Sequence, residues 1–500
     1  MNLKNVAKNK VDIISVATII IYAYLINTIS GNIGVLVIDT FGFFDTGFSI
    51  LHGKLPIRDY WIFSGFLVDY LEALFFYIFG NNWSSHVLHA SFFNVIVSLF
   101  FYFFFNKVGL EKKLSLFYTL CFATLCYPVS GTPFAYLHAY IFSIISLKIF
   151  YFAALNQSNK YWFLLPFVGM LAFLSMQTPS AYIILLIAFL SIFYFFKKKK
   201  IDNLKFLSLG VFFSILIVIL FLFFSKIKFE SFFYQYFLFP FSIGEGRIMS
   251  DASSYVSLKD QLNFKKIFGD FKFIHIFFLP LIFISIYNLK KNLNKFILLN
   301  IVFVSATALF IFNQLLTANQ IYIFSLVPLL AAILHLNIVN LNFPKYIGFI
   351  IIIAVLFATF KFHYRYNIDR KFHDLEKISK IQAIDASVIH KNLKGLKWVS
   401  KQFPDPKDEI KMVKRAIEII EKDKRRKMLI THYSFISTIL DEDLNLLNRW
   451  YLWDNNTHPT ENHKYFSFYK NMVNKKLENE KIEVIYLLGR KMKFEKFKIN

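Results

Sequence analysis

The stretch Ile62-Phe63-Ser64-Gly65-Phe66-Leu67-Val68-Asp69-Tyr70-Leu71-Glu72-Ala73-Leu74-Phe75-Phe76-Tyr77-Ile78-Phe79 decides how this chain is laid out. Its length and apolarity suit a membrane span, yet Asp69 and Glu72 sit near its middle. Each carboxylate costs about 2.5–3.5 kcal/mol at a bilayer centre. The segment is therefore read as lying in the interface. Its two acids, three residues apart, then share the wet face of an interfacial helix.

Working outward, the rest of the chain is far more apolar than a soluble domain. It is 56% hydrophobic and 20% aromatic, with mean hydropathy +0.49, and its apolar residues come in long runs. Spans are read at about 11–29, 86–105, 114–130, 136–155, 161–176, 179–196, 204–225, 271–288, 295–315, 318–338 and 345–362, which makes eleven crossings. Asn2 to Lys10 is polar and basic, and Val11 to Ile29 lacks a small-residue cleavage site, so this helix is read as retained.

The positive-inside rule tests the parity, because one crossing more or fewer inverts every later loop. With 62–79 lying flat, the basic connectors Lys107 to Lys113, Lys197 to Lys200 with Lys205, and Lys290 to Lys295 share a side with the basic N-terminus. That side is read as cytoplasmic. The loops 30–85 and 226–270, and the tail from His363 to Asn500, then face outward.

The tail changes character. A polar linker around Lys391 to Pro406 precedes a helical period in Glu409-Ile410-Met412-Val413-Ala416-Ile417-Ile420, and short strand-like runs follow at Lys427 to Ile430 and Ile482 to Leu488. The fold class is thus mainly α: a polytopic membrane protein with a transmembrane domain over 1–362 and a small C-terminal α/β domain over 363–500, outside the membrane. The tail holds 29 Lys/Arg against 19 Asp/Glu, about ten of the +24 formal charge. Topology and anionic lipid head groups account for the basic balance, and nucleic acid is a poor partner. Cys121 and Cys126 share one apolar span with no nearby His or acid, which reads as packing and not as metal or a disulfide.

The outer loops carry the chemistry-bearing residues. Asp39 and Asp45 follow the first span, then come Ile50-Leu51-His52-Gly53-Lys54-Leu55-Pro56-Ile57-Arg58-Asp59-Tyr60-Trp61, Ser64-Gly65, Tyr70-Leu71-Glu72-Ala73 and Phe79-Gly80. This succession resembles the first outer loop of membrane glycosyltransferases of the GT-C superfamily, in its bacterial, polyprenyl-phosphate-sugar-dependent form. There an acid after the first helix is followed about fourteen residues later by a turn like G-x-x-P-Y-R-D-F, an interfacial helix and a Phe-Gly. Ile57 stands where that pattern usually has Tyr. The match covers roughly residues 10–110 and is only architectural beyond.

The resemblance implies an inner-membrane enzyme that takes a sugar from a polyprenyl-phosphate donor at the outer face and passes it to a lipid, glycan or protein acceptor. The family's catalytic acid would fall on Asp39, fourteen residues before Gly53, with Asp45 the second choice. In an inverting transfer a carboxylate takes the acceptor hydroxyl's proton while cations stabilise the departing phosphate. Arg58 and Arg247 suit that task, with Asp59 beside them, since a guanidinium grips phosphate oxygens in a fork. Arg365 and Arg370, beyond the last span, are weaker candidates.

Plainer readings stand beside these. Asp39 can simply mark the end of the first helix, and Asp59 can pair with Arg58 or cap the interfacial helix. His86, His89 and His138 lie near outer span ends, where histidines commonly sit hydrated; no third metal ligand is identifiable among them. Gln177-Thr178-Pro179 reads as a tight outer turn. Asn448-Arg449-Trp450-Tyr451 and Asp454-Asn455-Asn456-Thr457-His458-Pro459 are dense in sugar-binding residue types, yet fit an ordinary aromatic loop.

No P-loop, dinucleotide fingerprint or zinc-type array occurs. The reading needs no cofactor and is compatible with a divalent metal, though no metal ligands are assigned. The rivals are a flippase or transporter of lipid-linked glycans, and a surface-polysaccharide polymerase or ligase. Transporters usually show internal repeats and ionisable residues at mid-membrane, whereas here charges crowd loops and span ends.

Overall fold

The computed structural model describes residues 3–198, 201–249, 257–290, 293–318, 323–452, 455–489 and 494–498. Parts of two basic connectors (199–200, 291–292), residues 250–256 of the second loop expected to face outward, 319–322 of the tenth expected span, and Asp454 lie outside the described residues.

The chain runs α1 (Leu3–Gly31), α2 (Val37–Thr40), α3 (Gly42–Leu51), α4 (Leu67–Phe79), α5 (Trp83–Val108), α6 (Lys112–Leu125), α7 (Ala135–Asn156), α8 (Asn159–Ser175), α9 (Gln177–Lys198) and α10 (Ile201–Phe224). There follow α11 (Phe229–Phe233), α12 (Phe239–Met249), α13 (Leu258–Gln261), α14 (Lys272–Lys290), α15 (Asn294–Thr317), α16 (Leu326–Asn340) and α17 (Lys345–Phe362). The tail adds β1 (Ile384–Asp385), β2 (Lys397–Trp398), α18 (Pro406–Lys422), β3 (Lys427–Thr431), α19 (Phe435–Leu440), α20 (Phe466–Asn479), β4 (Val484–Leu488) and β5 (Phe494–Lys498).

The architecture is mainly helical. Among the described residues eight helices are long and apolar enough to cross a membrane: those starting at Asp12, Trp83, Ala135, Gln177, Asp202, Lys272, Lys295 and Lys345. Each of the eleven apolar segments read above holds a helix, but α6, α8 and α16 have only 14, 17 and 15 residues. Local chemistry sets several ends. Asn82 caps α5 by accepting from the Ser85 amide at 3.0 Å, and Gly109, at φ 110°, lets the chain leave it.

The segment 62–79 folds differently from the amphipathic reading. Its helix, α4, is 13 residues long, about 20 Å at 1.5 Å per residue and too short for a hydrocarbon core of about 30 Å. Asp69 and Glu72 are both 0% exposed, while Leu74, Tyr77, Ile78 and Phe79 are exposed. The helix is inside out: acids face the protein and the apolar face is bare. The wet-face expectation for the two acids is corrected, because each finds charged or polar partners inside.

The tail packs directly on the first loop. The Gly34 and Val35 amides donate to the Lys397 and Val399 carbonyls at 2.9 Å, and the Lys397 amide donates to the Asn32 carbonyl at 2.8 Å. Farther on, the Trp61 amide donates to Leu447 O at 2.8 Å and its indole Nε1 to Thr457 O at 3.0 Å. One apolar cluster joins Val35, Phe41, Phe44 and Trp83 with Leu393, Trp398, Val413, Ile436, Val484 and Tyr486. The Phe41 and Trp398 rings stack at 5.7 Å. The expected polar linker at 391–406 is therefore corrected: it carries β2 and buries Trp398 completely. In the tail, β3 pairs parallel with β4, and β4 antiparallel with β5, so the strand order is β3-β4-β5. The helix and both strand runs expected there are present, as α18, β3 and β4.

Where α1 ends, Gly31 crosses the turn after α6 backbone to backbone. A Cβ on Gly31 would lie 2.4 Å from the Gly131 carbonyl oxygen, and Gly131 itself has φ +76°.

Candidate functional site

Three buried polar groupings meet where α2 to α5 and the tail converge. The first centres on Glu72. Its Oε1 lies 2.7 Å from His86 Nδ1 and its Oε2 lies 2.6 Å from His89 Nδ1. His89 Nε2 faces His138 Nε2 at 3.2 Å, and His138 Nδ1 faces the Tyr127 hydroxyl at 2.8 Å. At the other end, His86 Nε2 meets the Thr40 carbonyl at 3.1 Å. Glu72, His86, His89, His138 and Tyr127 are all 0% exposed.

The partners constrain the proton positions. A carbonyl only accepts, so His86 Nε2–H donates to Thr40. The Tyr127 oxygen accepts from the Phe134 amide at 3.2 Å, and His138 Nδ1 lies 2.8 Å from the Tyr127 hydroxyl and 3.3 Å from the Phe134 carbonyl. His138 Nε2 and His89 Nε2 share one proton between them, and His89 Nδ1–H donates to Glu72. Burial alone would push the Glu72 carboxyl up, but the His86 and His89 imidazoles outweigh it and hold it below its ordinary value. Glu72 thus anchors the chain of bonds through both of its oxygens. The Phe75 ring stacks on His89 at 4.8 Å and Phe93 lies 4.3 Å from His138, which keeps water out. The expectation of hydrated histidines is corrected. Among the described residues no group of three or more His, Cys, Asp or Glu is arranged to hold a metal ion.

The second grouping joins loop to tail. Arg449 Nη2 forms a salt bridge with Asp69 Oδ2, and both side chains are wholly buried. Arg449 Nη1 donates to Ser64 Oγ at 2.8 Å and to Gly65 O at 3.1 Å, and the Thr46 hydroxyl donates to Asp69 Oδ1. Burial pushes the Asp69 carboxyl up to about 6, a rise limited by the Arg449 guanidinium and Thr46. In the third, the Ser437 hydroxyl of α19 donates to Asp45 Oδ1. Both border a cavity of about 10 Å³ with Thr431 and Ser434, room for about one water.

The residues singled out from the sequence are distributed unevenly around this seam. Asp39 sits on α2, its amide donating to Leu36 O at 2.8 Å, and keeps partial solvent access. Asp45, one helix on, is only 2% exposed and sealed by the tail. Arg58 spends four of its five N–H groups, three on the hairpin and one on the turn after α10. Two go to Asp59 Oδ2 at 2.7 and 2.9 Å, one to Gly53 O at 2.6 Å and one to Ser225 O at 3.2 Å. Asp59 also accepts from the Leu55 amide at 2.7 Å, so the two residues form one turn-holding unit. Arg247 reaches the tail, donating to Asn456 Oδ1 at 3.0 Å. Arg370 is fully buried and donates to the carbonyls of Ile33, Pro128 and Ser130 at 3.0, 3.1 and 2.7 Å, a staple and not an open phosphate site. Arg365 is exposed. Gln177 Nε2 donates to Tyr236 O at 3.0 Å, tying the expected turn to the second loop.

Sequence reasoning missed the partnership of Glu72, the three histidines and Tyr127, and that of Asp69 with Arg449. A carboxylate interrupting an apolar run was the one local signal for both. It also missed Lys148, in the interior of α7 and 0% exposed, which lies 4.7 Å from the Phe101 ring centre and 5.1 Å from that of Phe104. Lys148 corrects the reading that charges keep to loops and span ends. No protein-family model and no curated protein matches the chain.

Proposed function

We propose that this chain is a polytopic membrane glycosyltransferase of the GT-C type, moving a sugar from a polyprenyl-phosphate donor to a lipid, glycan or protein acceptor at the outer face of the bacterial inner membrane. In this reading α6, α8 and α16 cross alongside the eight longer helices, α4 lies in the interface, and residues 363–500 form an extracytoplasmic α/β domain over the first loop. The exposed apolar face of α4 supports the interfacial placement, and the shared core of loop and tail supports their common side.

The observation that carries the reading is Asp39, on a one-turn helix with solvent access, held beside a dry, fully bonded polar network. The Asp39 carboxylate takes the proton of the acceptor hydroxyl. That oxygen forms its bond to the anomeric carbon as the bond to the phosphate oxygen breaks on the opposite face, and the electron pair leaves with the polyprenyl phosphate. Arg58 contributes its remaining N–H and its charge to the phosphate. Asp45 is a poorer base because the tail seals it.

The test is transfer of labelled sugar from polyprenyl-phosphate donors in membranes carrying Asp39→Asn. Transfer collapses while protein level and membrane insertion persist; unchanged transfer removes Asp39 from the mechanism. A second reading, a carrier of lipid-linked glycans without covalent chemistry, draws on Lys148, because a cation inside a span commonly marks a translocation path. Loss of lipid-linked glycan translocation in Lys148→Met vesicles, with D39N silent, would favour it.

A further inference from the structure

We propose that His86 is a positioning residue for Asp39, acting through the carbonyl of the neighbouring Thr40; the inference rests on Asp39 as the base. Four-residue α2 is too short to hold its own geometry, and a helix end leaves carbonyls without internal partners. Side chains from outside take the carbonyls here. His86 Nε2 on α5 reaches Thr40 O at 3.1 Å, and the next carbonyl, Phe41 O, takes the Asp45 amide of α3 at 3.0 Å and Ser434 Oγ from the tail at 3.1 Å. A ring N–H suits this place, since the last carbonyls of a helical turn lack intrahelical donors.

What separates His86 from an ordinary cap is the depth of its support. Its other nitrogen is held by Glu72, whose second oxygen is held by His89, then His138 and Tyr127. These groups come from α4, α5, α7 and the turn at Tyr127–Val129. The position of the Asp39 turn is thereby referred to three helices through directional bonds and not through apolar contact alone. Loss of the final link frees the turn without emptying the core. A displacement of about 1 Å at a reacting group costs on the order of a hundredfold in rate.

Two substitutions divide the roles of the ring. Gln places its amide nitrogen where Nε2 stands and keeps the bond to Thr40, whereas Asn mimics Nδ1, keeps the bond to Glu72 and cannot reach Thr40. A nitroxide label is attached at position 39 of a chain carrying Asp39→Cys, Cys121→Ala and Cys126→Ala, with a control label at exposed position 470. His86→Asn converts the label at 39 from immobilised to mobile and leaves position 470 unchanged, and His86→Gln keeps it immobilised. Glu72→Gln, which can still bond both rings, also keeps it immobilised, and Glu72→Leu mobilises it. Equal mobility in the Asn and Gln forms overturns the proposal, as does an unaltered label in both. If His86→Asn fails to fold, the Glu72 pair decides on the same criterion. This readout needs no sugar transfer, so it fails separately from D39N. Where transfer is measured, H86N lowers kcat about a hundredfold at unchanged donor KM and H86Q restores most of it. An equal loss in both variants marks a structural role only.

Discussion

Asp69 in the first loop and Arg449 in the tail, 380 residues apart, form a salt bridge from which water is wholly excluded. Removing one partner strands a buried charge, at a cost of about 3–5 kcal/mol, whereas replacing both by neutral groups is far milder. Arg449→Met and Asp69→Asn are each expected to lower the detergent unfolding midpoint strongly. The double variant recovers most of the loss. Additive losses in this double-mutant cycle would show that the two charges do not depend on each other.

Asp45 carries a pH signature. Burial pushes its carboxyl from 3.8 to about 7, with the Ser437 hydroxyl opposing and Asp443 adding to the rise. The folded state keeps a proton that the unfolded chain releases, so this site lowers stability progressively as pH climbs from about 4 through 7. At about 1.4 kcal/mol per unit the effect reaches a few kcal/mol. Asp45→Asn is expected to match the parent near pH 4 and to unfold at a higher temperature at pH 8. A constant difference across that range would refute the assignment.

Lys148 has no hydrogen-bond acceptor among the described residues, only the rings of Phe100, Phe101 and Phe104. A desolvated amine so placed costs stability, and methionine fills the same volume without it. Lys148→Met is expected to raise the unfolding midpoint and leave the proposed sugar transfer intact. A folded K148M protein that no longer transfers sugar would place Lys148 in the working machinery.

The crossing of Gly31 over Gly131 invites a controlled pair of substitutions. An alanine methyl at 131 would lie 2.5 Å from the Gly31 Cα, while the equally left-handed Gly53, at φ +77°, has nothing within 4 Å. Gly53→Ala costs about 1 kcal/mol of backbone strain. Gly131→Ala adds a backbone collision and is expected to abolish accumulation of folded protein. Equal effects would mean that the close approach contributes nothing beyond φ.

These cases show what was legible in the sequence. Apolar runs located the helices of the membrane region, because hydropathy is a property of contiguous residues. The period around Val413 and Ile420 located α18 for the same reason. For α4 the pattern showed two unlike faces but could not say which faces inward. That choice belongs to Arg449, His86 and His89, and pairings across long separations leave no local trace. The hairpin at Gly53 to Trp61 was legible as a unit, and Asp59 serves as the turn-holding residue that the plainer reading described. The burial of Asp45 was not legible, since its lid is α19, which carries Ser437.

The interlocking of loop and tail also bears on biogenesis. At about 5–20 residues per second, the segment around Asp69 leaves the ribosome on the order of 20 to 80 s before Arg449 exists. Throughout that interval the nascent protein holds an unneutralised carboxylate and an uncovered aromatic surface at Phe41 and Phe44. A prematurely terminated chain keeps those liabilities for good: only a polypeptide translated past Ser437 and Arg449 acquires the lid over Asp45 and the partner of Asp69, and shortened products present themselves to proteolysis.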